Sequence, residues 1–464
     1  MPVYTKLYGL FFLTICVIFY SLAYLIKDSA NRSVVSRVLL LCADLVFYAY
    51  AGVTFLPALL YVVVVTYLGG LLLGKRGKLF PLFCTLLFAP LVAYKFLQWN
   101  QGDFIIPLGI SFFTLQAYSY LNSVYKKDAE PERSFLTVAV FVSFFPAVSS
   151  GPILRSSKII PQLKAPKDFE YDRVTDGMKL YCLGLFKKMV LADNLALYIQ
   201  SVNEQFALGN VHGLAVITAA IFYSLQLYLD FSGYSDIVIG CSKVLGFDID
   251  RNFDHPYMAR TITEFWRRWH ISLSSWLRDY IYFPLGGSKR GAFRTYINIL
   301  IVFVISGLWH GNGLNYIVWG LLHGLFQCVE RALKAFTHGK YKGSRLVTFV
   351  MVTFAWMFFA EKSVGDALGK IRAFSIIPRD ISEVFSGKHL LVEALQVPQD
   401  MNFLMLVVGI VIFALVSVIT YEKDGLELIR KIPAVPRWVL YNLLILGVLF
   451  FSASTQVSFI YNKF

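Results

Sequence analysis

The sequence predicts an all-α membrane protein: a polytopic bundle of about ten to twelve transmembrane helices, forming one domain over residues 1–464. Only 16% of the residues are charged and 57% are hydrophobic, whereas soluble domains carry about 25% charged residues. The mean hydropathy is +0.60, and apolar runs recur along the whole chain. A membrane helix needs about 20 apolar residues. This pattern excludes a soluble enzyme, a disordered regulator and a secreted disulfide scaffold.

The first third of the chain predicts closely spaced membrane helices. Apolar runs with short loops between them cover residues 7–26, 34–50, 55–73, 79–97, 104–125 and 135–150. The first run lacks a small-residue cleavage motif, so we expect it to be retained as a span. In the fifth run, Thr114 and Gln116 follow a break at Pro107 and Gly109. Their polar groups must find partners inside the bundle because lipid offers none.

The middle of the chain is more polar. Residues 155–176 predict a loop with mixed charges, and residues 178–197 contain Lys187, Lys188 and Asp193. This second stretch suits an interfacial amphipathic helix better than a full span. Residues 211–231 return to apolar character and predict the next span.

Residues 265–284 combine aromatic and charged side chains in an unusual way. On a continuous helix they would form two stripes, an apolar one of Trp266, Trp269, Leu273, Trp276 and Tyr280 and a polar one of Arg268, Ser272, Ser275 and Asp279. A lipid-exposed span cannot tolerate the polar stripe. We therefore predict a re-entrant or interfacial helix that lines a wet cavity. The remaining spans are predicted at residues 295–309, 314–329, 346–359, 403–420 and 438–451.

The net charge of +14 does not indicate nucleic-acid binding, which needs a solvated basic surface with base-reading or stacking elements. The basic residues instead punctuate apolar runs, as at residues 75–78 and 289–291. Such clusters mark cytoplasmic loops and favour anionic lipid headgroups.

The six cysteines are scattered without CxxC spacing, so we predict neither a zinc site nor a disulfide framework.

His310 is the sharpest candidate for chemistry. It lies 16 residues after Arg294, roughly 24 Å along a helix, and therefore deep in the bilayer. Gly311 and Gly313 then loosen the helix and free backbone groups for protein or cavity water. A buried neutral imidazole can act as a general base, although a histidine in this position could also simply join two helices by a hydrogen bond.

Two further histidines lie in apolar surroundings. His323 would point about 220° away from His310 on a continuous helix, so joint metal binding is not expected, and packing is the favoured role. For His270, a substrate-positioning role and a local hydrogen-bonding role stay equally open.

A polar stretch contains Asp230, Tyr234 and Asp236, and it could line a cavity or pair with Arg267 or Arg268. The sequence contains neither a phosphate-binding glycine loop nor a serine nucleophile elbow.

Several motifs occur together in one order. They are PLGISFFT (107–114), FFP with GPI (144–153), GLFKK (184–188), DFSGYSD (230–236), TEFWRRWHISLS (263–274), RDY with PLGG (278–287) and GLWHG (307–311). Through them the chain resembles the membrane-bound O-acyltransferase family. Within that family it is similar to the bacterial membrane subunits that O-acetylate alginate and peptidoglycan.

The resemblance implies a central tunnel with His310 as the essential intramembrane histidine and His270 as a second, supporting one. Candidate substrate-binding residues in or beside the motifs are Asp230, Tyr234, Asp236, Arg267, Arg268, Trp309 and Asn312. It also implies a cytoplasmic thioester donor, normally acetyl-CoA, with no bound cofactor. The acceptor would be an extracytoplasmic polysaccharide, which the enzyme would modify with the help of an accessory periplasmic or extracellular acetyltransferase partner. The protein would be located in the bacterial inner membrane.

Some alternatives stay open at the level of sequence. The basic residues Lys187, Lys188, Lys289 and Arg290 could attract the donor's phosphates, but topology and lipid contact explain them more simply. The acyl group could be D-alanine from a carrier-protein thioester, passed to a cell-wall polymer. A transporter or flippase would use the same intramembrane polar residues as a path, but it should show two symmetric halves. A non-catalytic scaffold would not need His310.

Overall fold

The computed structural model is 76% helical and has no strands in the residues that it describes, which confirms the predicted all-α membrane bundle. Those residues are 1–101, 105–399, 401–423, 425–453 and 457–460. The chain divides into two compact units. The first contains residues 1–184 and 234–252, and the second contains residues 185–233 and 253–463.

The helices are numbered in chain order. The first ten are α1 (Lys6–Leu25), α2 (Ser29–Ala51), α3 (Leu56–Leu73), α4 (Phe80–Gln101), α5 (Ile110–Tyr125), α6 (Phe135–Ser143), α7 (Ser156–Lys164), α8 (Tyr171–Leu185), α9 (Asp193–Ala207) and α10 (Gly213–Val244). They are followed by α11 (Ile262–Arg268), α12 (Ile271–Leu277), α13 (Ala292–His310), α14 (Leu314–Phe336), α15 (Arg345–Ala360), α16 (Val364–Ala373), α17 (Ile377–Phe385), α18 (Leu391–Ala394), α19 (Phe403–Thr420), α20 (Gly425–Lys431) and α21 (Ala434–Phe451). Phe186–Ala192 and Arg278–Tyr282 form π-helical turns.

Eight helices in the described part of the chain are long and apolar enough to cross a membrane: α1, α2, α3, α4, α10, α13, α19 and α21. The apolar helix α15 is shorter, at 16 residues. Helix α14 is long enough, but its final turns carry Glu330, Arg331 and Lys334. The lower number of spans therefore reflects short or partly charged helices at predicted span positions.

Several predicted elements have the wrong extent. The predicted span 135–150 ends as a helix at Ser143, because Pro146 cannot continue a helix and disfavours it in the preceding residue. The predicted loop 155–176 contains the whole of α7. Helix α10 continues through the polar DFSGYSD motif to Val244, well beyond the predicted end at residue 231. Helix α5 begins at Ile110, and the predicted start of that span, residue 104, lies outside the described residues.

The continuous helix predicted at residues 265–284 is also wrong. Helix α11 ends at Arg268, and α12 begins at Ile271. Between them His270 has φ 42° and ψ 54°, which is the left-handed conformation. The two predicted stripes therefore do not follow one helix axis, although Trp266, Trp269 and Leu273 are buried as the apolar stripe required.

In the first unit, buried polar side chains find partners as predicted. Gln116 donates from Nε2 to the Phe141 carbonyl and accepts the Leu154 amide at 3.2 Å. Asp44 is fully buried and accepts the Ser143 hydroxyl at 2.8 Å and the Phe145 amide at 2.7 Å. Both side chains thus bind backbone near the end of α6, where the helix no longer satisfies its own groups.

In the second unit, glycines allow α13 and α14 to pack backbone to backbone. A Cβ atom added at Gly320 would lie 2.2 Å from the Phe303 carbonyl oxygen, and one at Gly307 would lie 2.4 Å from that of Tyr316. Backbone atoms at such a crossing cannot move aside without separating the helices. This close crossing fixes the helix that ends at His310.

The crossing yields a test of the fold. Gly320→Ala should destabilise the protein by about 1–3 kcal/mol, the usual cost of overpacking, although alanine is the better helix former. Thermal unfolding in detergent measures the change. Gly365→Ala is the matched control, because its Cβ would meet only Ser363 Oγ at an ordinary 3.6 Å. An unchanged melting temperature for Gly320→Ala would contradict the close crossing.

Candidate active site

His310 is the last residue of α13, and its ring orientation is fixed by the helix itself. Its Nδ1 donates to the Ser306 carbonyl oxygen, one turn earlier, at 2.6 Å. Since a carbonyl oxygen can only accept, Nδ1 carries a proton. In the neutral ring, Nε2 then holds the lone pair that can accept a proton from a substrate.

Aromatic rings enclose His310, which is only 2% exposed. Its ring centroid lies 4.8 Å from Trp309, 4.9 Å from Trp319 and 5.6 Å from Phe359. These contacts leave the imidazole few alternative orientations. The sequence predicted a deeply buried ring at this position, and the structure places it in an apolar setting.

His270 lies in the same unit, between α11 and α12. Its ring is 1% exposed and packs edge-on against Phe231 at 4.7 Å. Trp309 connects the two histidines, since its ring lies 6.2 Å from His270 and 4.8 Å from His310. Burial is the main cause that holds the pKa of His270 well below its ordinary value, and a positive charge on His310 would act in the same direction. His270 is therefore neutral at physiological pH.

His323 has the packing role that the sequence favoured. Its Nδ1 accepts the indole N–H of Trp266 at 3.2 Å, and its ring lies 5.3 Å from Trp319. In the described ranges no group of three or more His, Cys, Asp and Glu side chains is arranged to hold a metal ion.

A cavity of about 790 Å³ follows one face of α13 towards the His310 helix end. Ile299, Val302, Phe303 and Ser306 form that wall. Ser306 thus lines the cavity while its carbonyl holds the His310 ring. Its buried hydroxyl has no hydrogen-bond partner among the described residues.

The rest of the cavity wall is strongly polar. It includes four basic side chains, two carboxylates and two serine hydroxyls: Arg267, Arg278, Arg331, Lys334, Glu264, Glu330, Ser274 and Ser275. The basic side chains are exposed. The cavity can therefore accept a ligand that is anionic at one end and reaches towards Ser306 at the other.

Two of the predicted substrate-binding residues, Asp230 and Arg268, have structural partners instead. Asp230 does not pair with Arg267 or Arg268, because it forms a buried ion pair with Lys188 at 2.8 Å. Lys188 is 1% exposed and cannot be an entrance residue for a donor, so that hypothesis is wrong for Lys188. Arg268 pairs with Glu264 at 3.1 Å and with Asp254 at 3.3 Å.

The other predicted residues are spread over both units. Arg267 lines the cavity, and Trp309 contacts both histidines. Asn312 is half-buried in the turn after α13. Tyr234 and Asp236 belong to the first unit, where the Tyr234 hydroxyl hydrogen-bonds to Ser149.

Sequence reasoning missed the polar residues that support the histidines. Asn315 is buried and donates to the carbonyls of Phe358 at 3.3 Å and Glu361 at 2.8 Å. Glu330 accepts the first amides of α11, from Ile262 at 2.7 Å and Thr263 at 3.3 Å. Both residues lie on α14, and polar residues in an apolar helix were the available signal.

Comparison with known proteins shows which family the chain is similar to. The model of the membrane-bound O-acyltransferase family matches residues 132–365, a range that contains both His270 and His310. An alginate O-acetylase from Pseudomonas fluorescens is 36% identical over 339 residues, covering 71% of this chain and 68% of the relative. A peptidoglycan O-acetyltransferase from Helicobacter pylori is 31% identical over 509 aligned positions, covering 95% of this chain and 94% of the relative.

A more distant relative is a teichoic acid D-alanyltransferase from Bacillus subtilis, 26% identical over 309 residues that cover 62% of this chain and 76% of the relative. All of these relatives are named for acyl transfer, which decides against the transporter and scaffold alternatives. The chain belongs to the membrane-bound O-acyltransferase family and is an enzyme, an O-acyltransferase.

Proposed function

We propose that this enzyme transfers an acetyl group from acetyl-CoA to a hydroxyl of an extracytoplasmic polysaccharide in the bacterial inner membrane. The acetyl group passes to the sugar directly or through the hydroxyl of an accessory partner protein. The names of the relatives support acetyl as the acyl group and alginate-like or peptidoglycan-like polymers as acceptors. The eight apolar helices of the described chain support the membrane location.

The observation that carries this proposal is the relation between His310 and the cavity. Ser306 joins them, since it lines the cavity and its carbonyl fixes the protonated Nδ1 of His310. The basic loop at residues 289–291 precedes α13, and positive loops lie on the cytoplasmic side. A donor that enters along Ile299 and Phe303 would therefore come from the cytoplasm and deliver its thioester near His310.

The reaction needs one base and one well-placed electrophile. Nε2 of His310 takes the proton of the acceptor hydroxyl while that oxygen attacks the thioester carbonyl carbon. A tetrahedral oxyanion forms, the C–S bond breaks, and the new ester retains the acetyl group. The thiolate leaves and receives the proton from His310, so that the ring returns to its neutral state.

The basic side chains of the cavity provide the donor's binding energy in this proposal. Arg331 and Lys334 are three residues apart on α14 and line the same cavity, so they lie on one helix face. They suit the phosphate groups of coenzyme A. This assignment replaces Lys188, which is buried in an ion pair, while Lys289 and Arg290 are exposed outside the cavity wall.

D-alanyl transfer from a carrier-protein thioester is the second candidate, and it is supported by the similarity to a teichoic acid D-alanyltransferase. It uses the same base and the same bond changes, so the histidine geometry does not separate the two. Purified enzyme in vesicles, given either labelled acetyl-CoA or labelled D-alanyl carrier protein, does separate them by which label reaches the acceptor.

His310→Ala should lower acetyl transfer by ~10²–10⁴-fold, the usual contribution of a positioned general base. The assay measures labelled acetate released or transferred by purified protein in vesicles, with size-exclusion profile and melting temperature recorded for each variant. His389→Ala is the control, because the His389 side chain is 43% exposed and pairs with Glu393. Full activity of a folded His310→Ala enzyme would refute the proposed base.

His270 offers a second test that separates the ring from the backbone. Asparagine tolerates the left-handed conformation that His270 adopts, whereas alanine does not do so easily. We expect His270→Asn to keep a higher melting temperature than His270→Ala and to lose at least about tenfold in kcat, because the ring next to Trp309 is gone. His270→Ala should lose stability as well. If His270→Asn is as active as the unmodified enzyme, the His270 ring has no role in acetyl transfer, and the residue only provides the left-handed backbone conformation.

The cavity assignment predicts a binding defect. Replacing both Arg331 and Lys334 by Gln should raise the KM for acetyl-CoA roughly two- to fivefold, as expected for exposed ion pairs, with little change in kcat. The difference should shrink at high salt because exposed charges are screened. Lys340→Gln, an exposed lysine outside the cavity wall, is the control. A lowered kcat at unchanged KM would contradict donor binding here.

A further inference from the structure

A buried ion cluster lies within the second unit, next to the histidine site. Lys188 in the π-helical turn contacts Asp193 at 2.7 Å and Asp230 at 2.8 Å, and all three residues are nearly inaccessible to solvent. Burial acts to lower the pKa of Lys188, but the two carboxylates outweigh it and raise that pKa. The lysine therefore stays charged, and the cluster contains one cation and two carboxylates.

The same cluster binds the backbone of residues 457–460, here called the C-terminal segment. Lys188 Nζ donates to the Val457 carbonyl at 3.2 Å, and Asp230 Oδ2 accepts the Ile460 amide at 3.0 Å. The two partners of one ion pair thus hold the two ends of the segment. Buried charges are tolerated when further hydrogen bonds satisfy them, so the segment completes the cluster.

The C-terminal segment also contacts the ring that supports His270. Phe459 is 1% exposed, and its ring packs at 5.8 Å against Phe231. Phe231 in turn packs edge-on against His270 at 4.7 Å. Asp230 and Phe231 are neighbours on α10. Asp230 binds the backbone of the segment, and Phe231 packs between Phe459 and His270.

We propose that the Lys188–Asp230 ion pair clamps the C-terminal segment, and that Phe459, held by this clamp, is a positioning residue for His270 through Phe231. The proposal rests on the proposed function, in which His270 supports acetyl transfer. A segment that only covered the surface would need neither a buried charge cluster at both of its ends nor a ring against Phe231. Through Phe231, the clamp couples the packing around His270 to a distant part of the sequence.

The test is a double-mutant cycle between Phe459 and His270 in the full-length enzyme. Phe459→Ala should lower kcat for acetyl transfer about tenfold at unchanged KM, and Phe459→Leu should restore part of it. In the His270→Asn background, Phe459→Ala should cause no further loss, because coupled residues are not additive. Phe450→Ala, which removes a ring that is 74% exposed on α21, is the matched control.

Additive losses in the cycle, or an unchanged kcat for folded Phe459→Ala, would overturn the positioning role. A readout without substrate tests the clamp itself: Lys188→Met should accelerate hydrogen exchange at the Ile460 amide, measured by mass spectrometry, and unchanged exchange would overturn the clamp. If the unmodified enzyme fails to transfer acetyl while Lys188→Met still accelerates exchange, then the proposed function fails and the clamp stands.

Discussion

A polar group that is removed from water must find a partner within the protein, and in a membrane bundle this constraint decides where helices can break. In the first unit, α6 ends at Ser143 and leaves backbone groups of the following turn unsatisfied. Asp44 accepts the Phe145 amide, and the Gln116 side chain donates to the Phe141 carbonyl. Two buried side chains from other helices thus replace the hydrogen bonds that the interrupted helix no longer makes.

The same constraint organises the histidine site, with α14 supplying the partners. Asn315, Trp319 and His323 are spaced four residues apart, and Glu330 follows seven residues later, so they share one helix face. Asn315 binds the end of α15, and Glu330 binds the first amides of α11. Trp319 packs on His310 at 4.9 Å. One face of α14 therefore supports the elements that carry both His270 and His310.

The features that the sequence predicts correctly depend on residues close together in the chain, whereas the features that it does not predict depend on contacts between residues far apart in the chain. Apolar runs are local, and they correctly place α1, α13, α19 and most other long helices. The motif around His310 is local as well, and the depth of His310 in the membrane follows from the length of α13. Lys188 and Asp230 are 42 residues apart in the chain. From the sequence alone, Lys188 looks like one of the basic residues that mark the cytoplasmic side of the membrane. A lysine and an aspartate that both lie in apolar stretches are nevertheless each other's expected partners.

The break at His270 shows why a periodic pattern can mislead. Trp266, Trp269 and Leu273 have helical spacing and are all buried, yet the backbone between them leaves the helix. A left-handed residue other than glycine costs about 1–3 kcal/mol, so the surroundings must enforce it. The Asp254 amide donates to the Arg268 carbonyl at 2.9 Å, and the His270 carbonyl accepts the Ser274 amide at 2.9 Å. These bonds to the backbone fix both sides of the break.

The backbone of His270 is therefore set by hydrogen bonds, whereas its ring is surrounded by Phe231 and Trp309. Ring contacts of this kind are weakly directional, about 0.5–1.5 kcal/mol for an aromatic pair. They orient a side chain only when several act together and their own positions are fixed. Trp309 is fixed by α13, and Phe231 is packed by Phe459. The orientation of the second histidine thus depends on residues far from it in sequence, which explains why its motif alone could not establish its role.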